Sequence, residues 1–259
     1  EGTVRFKNAP IPGRDSAAWR AQRASMQMIH QDPYACFDPR LPIIEQVAEP
    51  LRHHRGLSKE AAAKAALEVL RAAGLPAHHT GRRPSVMSGG QLQRAAIARA
   101  VALEPALLVC DEPVASLDVS IQAQVLELLL QLRNRMKMAM LFVSHNLSIV
   151  RCICDRVTVM YLGRIVESGT VEAVFSRPLH PYTKLLMAST PGADAHVVRY
   201  YPKGAMPSPI DRPKGCVFAS RCPLAEVRCR TDVPPLRDDG SGHLAACFSG
   251  PSFLLHPEA

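Results

Sequence analysis

The chain has 259 residues and a formal net charge of +8, from 31 Lys and Arg against 23 Asp and Glu. Hydrophobic residues at 47% and charged residues at 21% supply a packed core and exclude a disordered, collagen-like or low-complexity chain. Aromatics make up only 5% and are not interleaved with the basic residues, so a stacking platform for single-stranded nucleic acid fits poorly, and no nucleic-acid partner is expected.

In chain order, Thr3 to Phe6 and Met26 to His30 read as short strands around a loop containing Pro and Gly. Gln31-Asp32-Pro33 starts another loop. From Ile43 to Gly74 the pattern is helical, with Ala63, Ala66, Leu67 and Leu70 at i, i+3, i+4 and i+7, Ser58 as an N-cap and Gly74 as a C-cap. After a Ser-Gly-Gly turn, a helix is predicted from Gln91 to Leu103. The apolar run Leu107-Leu108-Val109-Cys110 then suits a strand buried on both faces, ending in Asp111-Glu112-Pro113. Val125, Leu128, Leu129, Leu132 and Met136 stripe a further helix, and Ala139 to Val143 form a second buried strand closed by Ser144-His145. Alternation of strands and helices predicts an α/β fold with a parallel sheet. Asp155 to Tyr161 and Arg164 to Glu167 read as a hairpin around Gly163, and beyond Pro191 a Pro-rich linker leads to a Cys-rich tail. No run approaches the roughly 18 apolar residues of a membrane span. The chain opens on Glu1 without an export-type segment, and the expectation is a soluble cytosolic protein, with Glu1 as a truncation point.

Ligands of open parallel sheets bind at the carboxyl ends of the strands. Asp111 and Glu112 stand at such an end and suit a division of labour, one carboxylate near a nucleotide-bound Mg²⁺ and the other polarising water. Alone, such a pair more often caps the next helix. His145 ends the neighbouring strand, where it is able to meet a terminal phosphate or serve as an ordinary structural histidine. Ser88-Gly89-Gly90-Gln91 offers a hydroxyl and bare N–H groups at a helix start, a phosphate-binding arrangement that is also a common turn. Gln31 offers a neutral amide to a metal or water, and is by itself an ordinary loop glutamine.

Order and spacing change that balance. Gln31, Met87-Ser88-Gly89-Gly90-Gln91, Leu107 to Pro113, Ser116-Leu117-Asp118 and Ser144-His145 together resemble the ATP-binding-cassette (ABC) ATPase family. The resemblance implies a P-loop NTPase-like cassette with a helical subdomain (about 43–103) over residues 1–191, and a small Cys-rich extension over 192–259. It implies ATP and Mg²⁺ as ligands. It places Gln31 at the Q-loop, Ser88, Gly89, Gly90 and Gln91 at the signature, Asp111 (with Gln31, near Mg²⁺) and Glu112 at the Walker B metal and general-base positions, Asp118 at the D-loop and His145 at the switch histidine. Met87 departs from the usual leucine and keeps its apolar volume.

Gln31-Asp32-Pro33-Tyr34, Met160 to Gly163 and Arg177 to Tyr182, above all His180-Pro181-Tyr182, resemble the branch that energises oligopeptide, dipeptide and nickel import. Taken alone, His180-Pro181-Tyr182 is a helix start with Pro in the first turn. The resemblance implies a peripheral subunit on the cytosolic face of the cell membrane. Its partners would be a second ABC ATPase, two permease subunits that the helical insert touches, and, indirectly, a solute-binding protein. The rival reading is a non-transport cassette, or one that donates only its signature to a partner's ATP site.

The family's Gly-x-x-x-x-Gly-Lys-[Ser/Thr] loop has no counterpart here, since the sequence contains no Gly-Lys pair. The isolated chain is therefore expected to lack turnover. Cys216, Cys222, Cys229 and Cys247, with five, six and seventeen residues between them, suit four thiolates around a [4Fe–4S] cluster or, as the alternative, Zn²⁺. Resemblance to importer tails, including Arg221-Cys222-Pro223, implies the cluster first, with zinc second and free buried thiols third.

Overall fold

A computed structural model describes residues 2–14, 16–189, 207–208 and 210–249. The chain forms two compact units, Glu1–His145 and Asn146–Ala259. The expected boundary near residue 191 lies outside the described residues.

The first unit opens with a small antiparallel hairpin of β1 (Arg5–Phe6) and β2 (Ala9–Pro10). The segment expected as loop then holds a helix, α1 (Ala17–Ser25), capped by the Ser16 hydroxyl accepting from Trp19 N–H. It buries no residue, and so shows no apolar stripe to betray it in the sequence. The strand β3 (Met26–Ile29) follows directly.

The predicted helical stretch from 43 to 74 is two helices, α2 (Ile43–Arg55) and α3 (Lys59–Ala72). Gly56, at φ 65°, takes the left-handed conformation that ends α2, and Ser58 restarts the chain by accepting from Ala61 N–H. The buried line on α3 is Ala62, Ala66 and Leu70, one residue off the predicted stripe at its start. Beyond the single turn α4 (Ala77–Thr80), α5 (Gly89–Val101) buries eight of its thirteen residues.

β4 (Leu107–Asp111), α6 (Val119–Met136) and β5 (Ala139–Val143) complete this unit. The sheet runs β3-β4-β5 with both pairings parallel, as expected for an α/β fold. β4 is central, with Leu108 and Cys110 fully buried. β5 differs from its predicted burial on both faces, for Leu141 is 55% and Val143 45% exposed. It pairs only with β4 among the described strands.

The second unit contains α7 (Leu147–Ile153), β6 (Arg156–Tyr161), β7 (Arg164–Thr170), α8 (Val171–Ser176), α9 (Pro181–Ala188), α10 (Arg228–Thr231), β8 (Arg237–Asp238) and β9 (Leu244–Ala245). The predicted hairpin is β6–β7. Leu162 and Gly163 both have positive φ, 47° and 73°, the geometry of a two-residue turn matched to strand twist. The antiparallel sheet continues β6-β7-β9-β8, so the tail adds two strands to the hairpin. Cys216, Val217, Phe218 and Cys229 share one core with Val159, Tyr161, Val166 and Val174. Among the described residues no helix is long and apolar enough to cross a membrane.

Candidate active site

Parallel pairing in register puts the ends of β3, β4 and β5 side by side, with Ile29 opposite Cys110 and Asp111 opposite Val143. The residues that follow each strand therefore meet. Gln31 Nε2 donates to Glu112 Oε2 at 2.9 Å, and His145 Nδ1 lies 2.9 Å from Glu112 Oε1. A carboxylate only accepts, so the His145 proton in this contact sits on Nδ1. Glu112 N–H donates to Val143 O at 3.0 Å, which ties the residue to the end of β5. Its φ of 44° is a left-handed backbone held by a residue with a Cβ, a conformation that costs free energy and clusters at functional sites. The histidine side chain is 74% exposed and the glutamate 24%, leaving the group open on the side where a ligand would approach. Asp111 ends β4 one residue earlier.

The structure thus brings Gln31, Asp111, Glu112 and His145 to one sheet edge, although they are spread over more than a hundred positions of sequence. Ser88 to Gln91 stand apart from this hydrogen-bonded group, at the start of α5. Ser88 is the N-cap. Its backbone N–H donates to Gln91 Oε1 at 3.1 Å, and its hydroxyl accepts from Gln91 N–H at 3.4 Å, a reciprocal box that fixes the turn. A Cβ on Gly90 would come within 2.9 Å of Ile121 Cγ2, so this glycine serves the close packing of α5 on α6 as well as bare backbone at the turn. Met87 is buried, and Tyr34 Oη donates to its carbonyl at 3.4 Å. Asp118 is the N-cap of α6 yet makes no side-chain cap bond.

Gln46 has no place in the sequence reading. It is 5% exposed on α2, donates from Nε2 to the carbonyls of Asp38 and Leu41, both at 2.9 Å, and accepts from Asp38 N–H at 2.7 Å. It fastens the loop after Gln31 to the helical insert. A polar residue on the buried face of α2 was its only signal. A cavity of about 600 Å³ lies beside this loop, lined by Met28, Ile29 and His30 from the end of β3, by His53 and His54 of α2 and by Arg99 of α5. Burial, the neighbouring His53 and Arg23 all lower the His54 pKa.

For Mg²⁺ the donor chemistry fits: this ion keeps most of its waters and needs only one or two hard oxygen ligands, which Asp111 and Gln31 offer. The cysteine expectation fares otherwise. Among the described residues no three His, Cys, Asp or Glu are grouped so as to hold a metal ion, and a [4Fe–4S] cluster or Zn²⁺ at Cys216, Cys222, Cys229 and Cys247 is not supported. Cys216 and Cys222 sit in or against an apolar core that disfavours the thiolate form a metal requires. Burial raises the Cys216 pKa and pushes that of Cys222 up to about 12, and charge on the other cysteines of the group adds to both shifts.

Comparison with known proteins agrees with this geometry. The ABC transporter family model matches residues 1–115, and the model for the oligopeptide/dipeptide transporter C-terminal region matches residues 166–229. A probable peptide ABC transporter ATP-binding protein of Sinorhizobium fredii is 44% identical over 248 residues, covering 95% of this chain and 70% of that protein. The oligopeptide transport ATP-binding protein OppF of Salmonella typhimurium is 44% identical over 253 residues, covering 96% and 75%. Among solved structures, the ATP-binding cassette MJ0796, in a dimeric post-hydrolysis state with ADP and phosphate, superposes with a TM-score of 0.59 at 29% identity, covering 66% of this chain and 74% of that one. The chain belongs to the ABC transporter ATPases, which couple ATP hydrolysis to transport, in the branch that carries the oligopeptide/dipeptide transporter C-terminal region.

Proposed function

We propose that this chain is the energising subunit of a peptide importer, and that Glu112 is the base of its ATPase reaction. The carrying observation is the bracketing of Glu112 by Gln31 on one oxygen and His145 on the other, each at 2.9 Å. Two donors orient the carboxylate that would take a proton from an attacking water. Bound Mg²⁺ would neutralise charge on the β- and γ-phosphates. Asp111 and Gln31 would hold the ion's water shell. With its Nδ1 turned to Glu112, His145 keeps Nε2 for a terminal phosphate.

Ser88, Gly89, Gly90 and Gln91 would face ATP held by a second ABC ATPase, with Asp118 at the same interface. The 600 Å³ cavity, lined from β3, α2 and α5 beside the loop of Gln31, supports seating a permease segment there. Attachment to two permeases places the chain on the cytosolic face of the membrane. No metal step is assigned to the cysteine tail.

The test is ATP-driven uptake of labelled oligopeptides into vesicles holding this chain with its cognate ATPase, permeases and solute-binding protein. Uptake that stops when this chain is omitted is the expected result. Uptake of an unrelated solute class, or none of any, would overturn the peptide reading.

A further inference from the structure

Glu167 lies on β7 with no exposed surface, and its carboxylate gathers donors from two distant stretches of chain. Oε1 accepts from Leu179 N–H at 2.8 Å and from His243 Nε2 at 2.7 Å, while Oε2 accepts from His180 N–H at 2.9 Å. Leu179 and His180 lead into α9. His180 caps that helix, its Nδ1 accepting from Tyr182 N–H at 3.1 Å, and Pro181 follows in the first turn. His243 comes from the turn before β9 and is 1% exposed. A Cβ on Gly169 would stand 3.1 Å from the His243 ring, so the strand has been left bare where the histidine lies on it.

Among the described residues the tail hairpin has few other ties to the sheet, though just beyond it Arg228 donates to Phe248 O at 3.2 Å. β9 meets β7 through only two residue pairs, Glu167 with Ala245 and Ser168 with Leu244. Ala246 N–H donates to Val166 O at 2.8 Å, and Arg177 pairs with Asp239. Cys247 lies two positions beyond β9, and its neighbour Phe248 packs against the core that holds Cys216 and Cys229.

We propose that Glu167 is a clasp: one buried carboxylate fastens both the His180-Pro181-Tyr182 helix start and the terminal hairpin to β7, and thereby holds Cys247 against the cysteines of residues 216–229. His180-Pro181-Tyr182 is then the fixed half of a joint whose other half is His243. This role is independent of what the protein transports. The two halves are unequal, because the helix start needs only Glu167, whereas the hairpin needs both Glu167 and His243.

Hydrogen exchange and maleimide labelling of individual cysteines, read by mass spectrometry on the full chain, test this asymmetry. Glu167→Gln should raise exchange at least tenfold in both 179–184 and 237–246, with a similar rise in Cys247 labelling and no change over β3, β4 and β5. His243→Gln should loosen the hairpin and Cys247 by the same factor and leave 179–184 as protected as in the parent. Gly169→Ala, which crowds the histidine from the strand side, should repeat the His243→Gln pattern and serves if Glu167→Gln fails to fold. The clasp is overturned if His243→Gln loosens 179–184 as much as the hairpin, or if the hairpin and Cys247 stay within twofold of the parent.

Discussion

Two glutamates of this chain each hold a histidine, at nearly the same distance and to opposite ends. Glu112 meets His145 at 2.9 Å in a group whose imidazole is 74% exposed, and Glu167 meets His243 at 2.7 Å where both side chains are almost wholly buried. In the first pair water screens the interaction, so the contact contributes little stability and is free to rearrange around a ligand. In the second the carboxylate depends on its three donors, and loss of any one leaves buried charge less satisfied. Equal geometry therefore serves turnover at one site and cohesion at the other.

The contrast is broken most sharply by Glu112→Gln. In an assembly where the family's phosphate loop completes this subunit's ATP site, we predict a fall in ATP turnover of at least ~100-fold, the scale of lost general-base catalysis, with a stability change within about 0.5 kcal/mol. A shift of several degrees in melting temperature with turnover retained would assign Glu112 a structural part instead.

The next effect is a pH dependence near the buried pair. Burial lowers the His180 pKa from 6.5 to about 4, so the folded chain keeps this imidazole neutral, in keeping with its Nδ1 accepting from Tyr182 N–H. Between those values the unfolded chain binds the proton and the folded one does not. Stability from this group is thus complete above about pH 6.5 and declines as pH falls toward 4, by about 3 kcal/mol in all. Denaturant midpoints of His180→Asn should lose that part of the slope, and an unchanged profile would refute the assignment.

The smallest effect is at Asp118. Helix N-caps usually contribute ~1 kcal/mol, but this carboxylate makes no cap bond, so Asp118→Ala should cost under about 0.5 kcal/mol. A larger loss would mean that the side chain caps α6 in solution.

Much of the open site was legible in the sequence because strand ends advertise themselves. Apolar runs at Leu107 and Ala139 ended in polar residues, and parallel pairing does the rest. The buried pair was not legible. Glu167 looked like the last residue of a hairpin strand and His243 like part of the Cys-rich tail, and no period or spacing relates residues 76 positions apart. Gln46 was hidden for a similar reason, since its value lies in three backbone partners that only the folded loop presents. α1 escaped because it buries nothing, and the division of the stretch from 43 to 74 because Gly56 acts through its left-handed backbone and not through hydrophobic pattern. The motif His180-Pro181-Tyr182 could be read as a helix start, while its attachment to Glu167 had no local trace.

The position of β5 in the sheet has a consequence for handling the chain. Among the described strands Ala139 to Val143 pair with β4 alone, and half-exposed Leu141 and Val143 stand there without the charge or proline that blunts natural edges. Such a rim suits strand addition, and edge-to-edge association rising with protein concentration, read by light scattering, is the expected outcome.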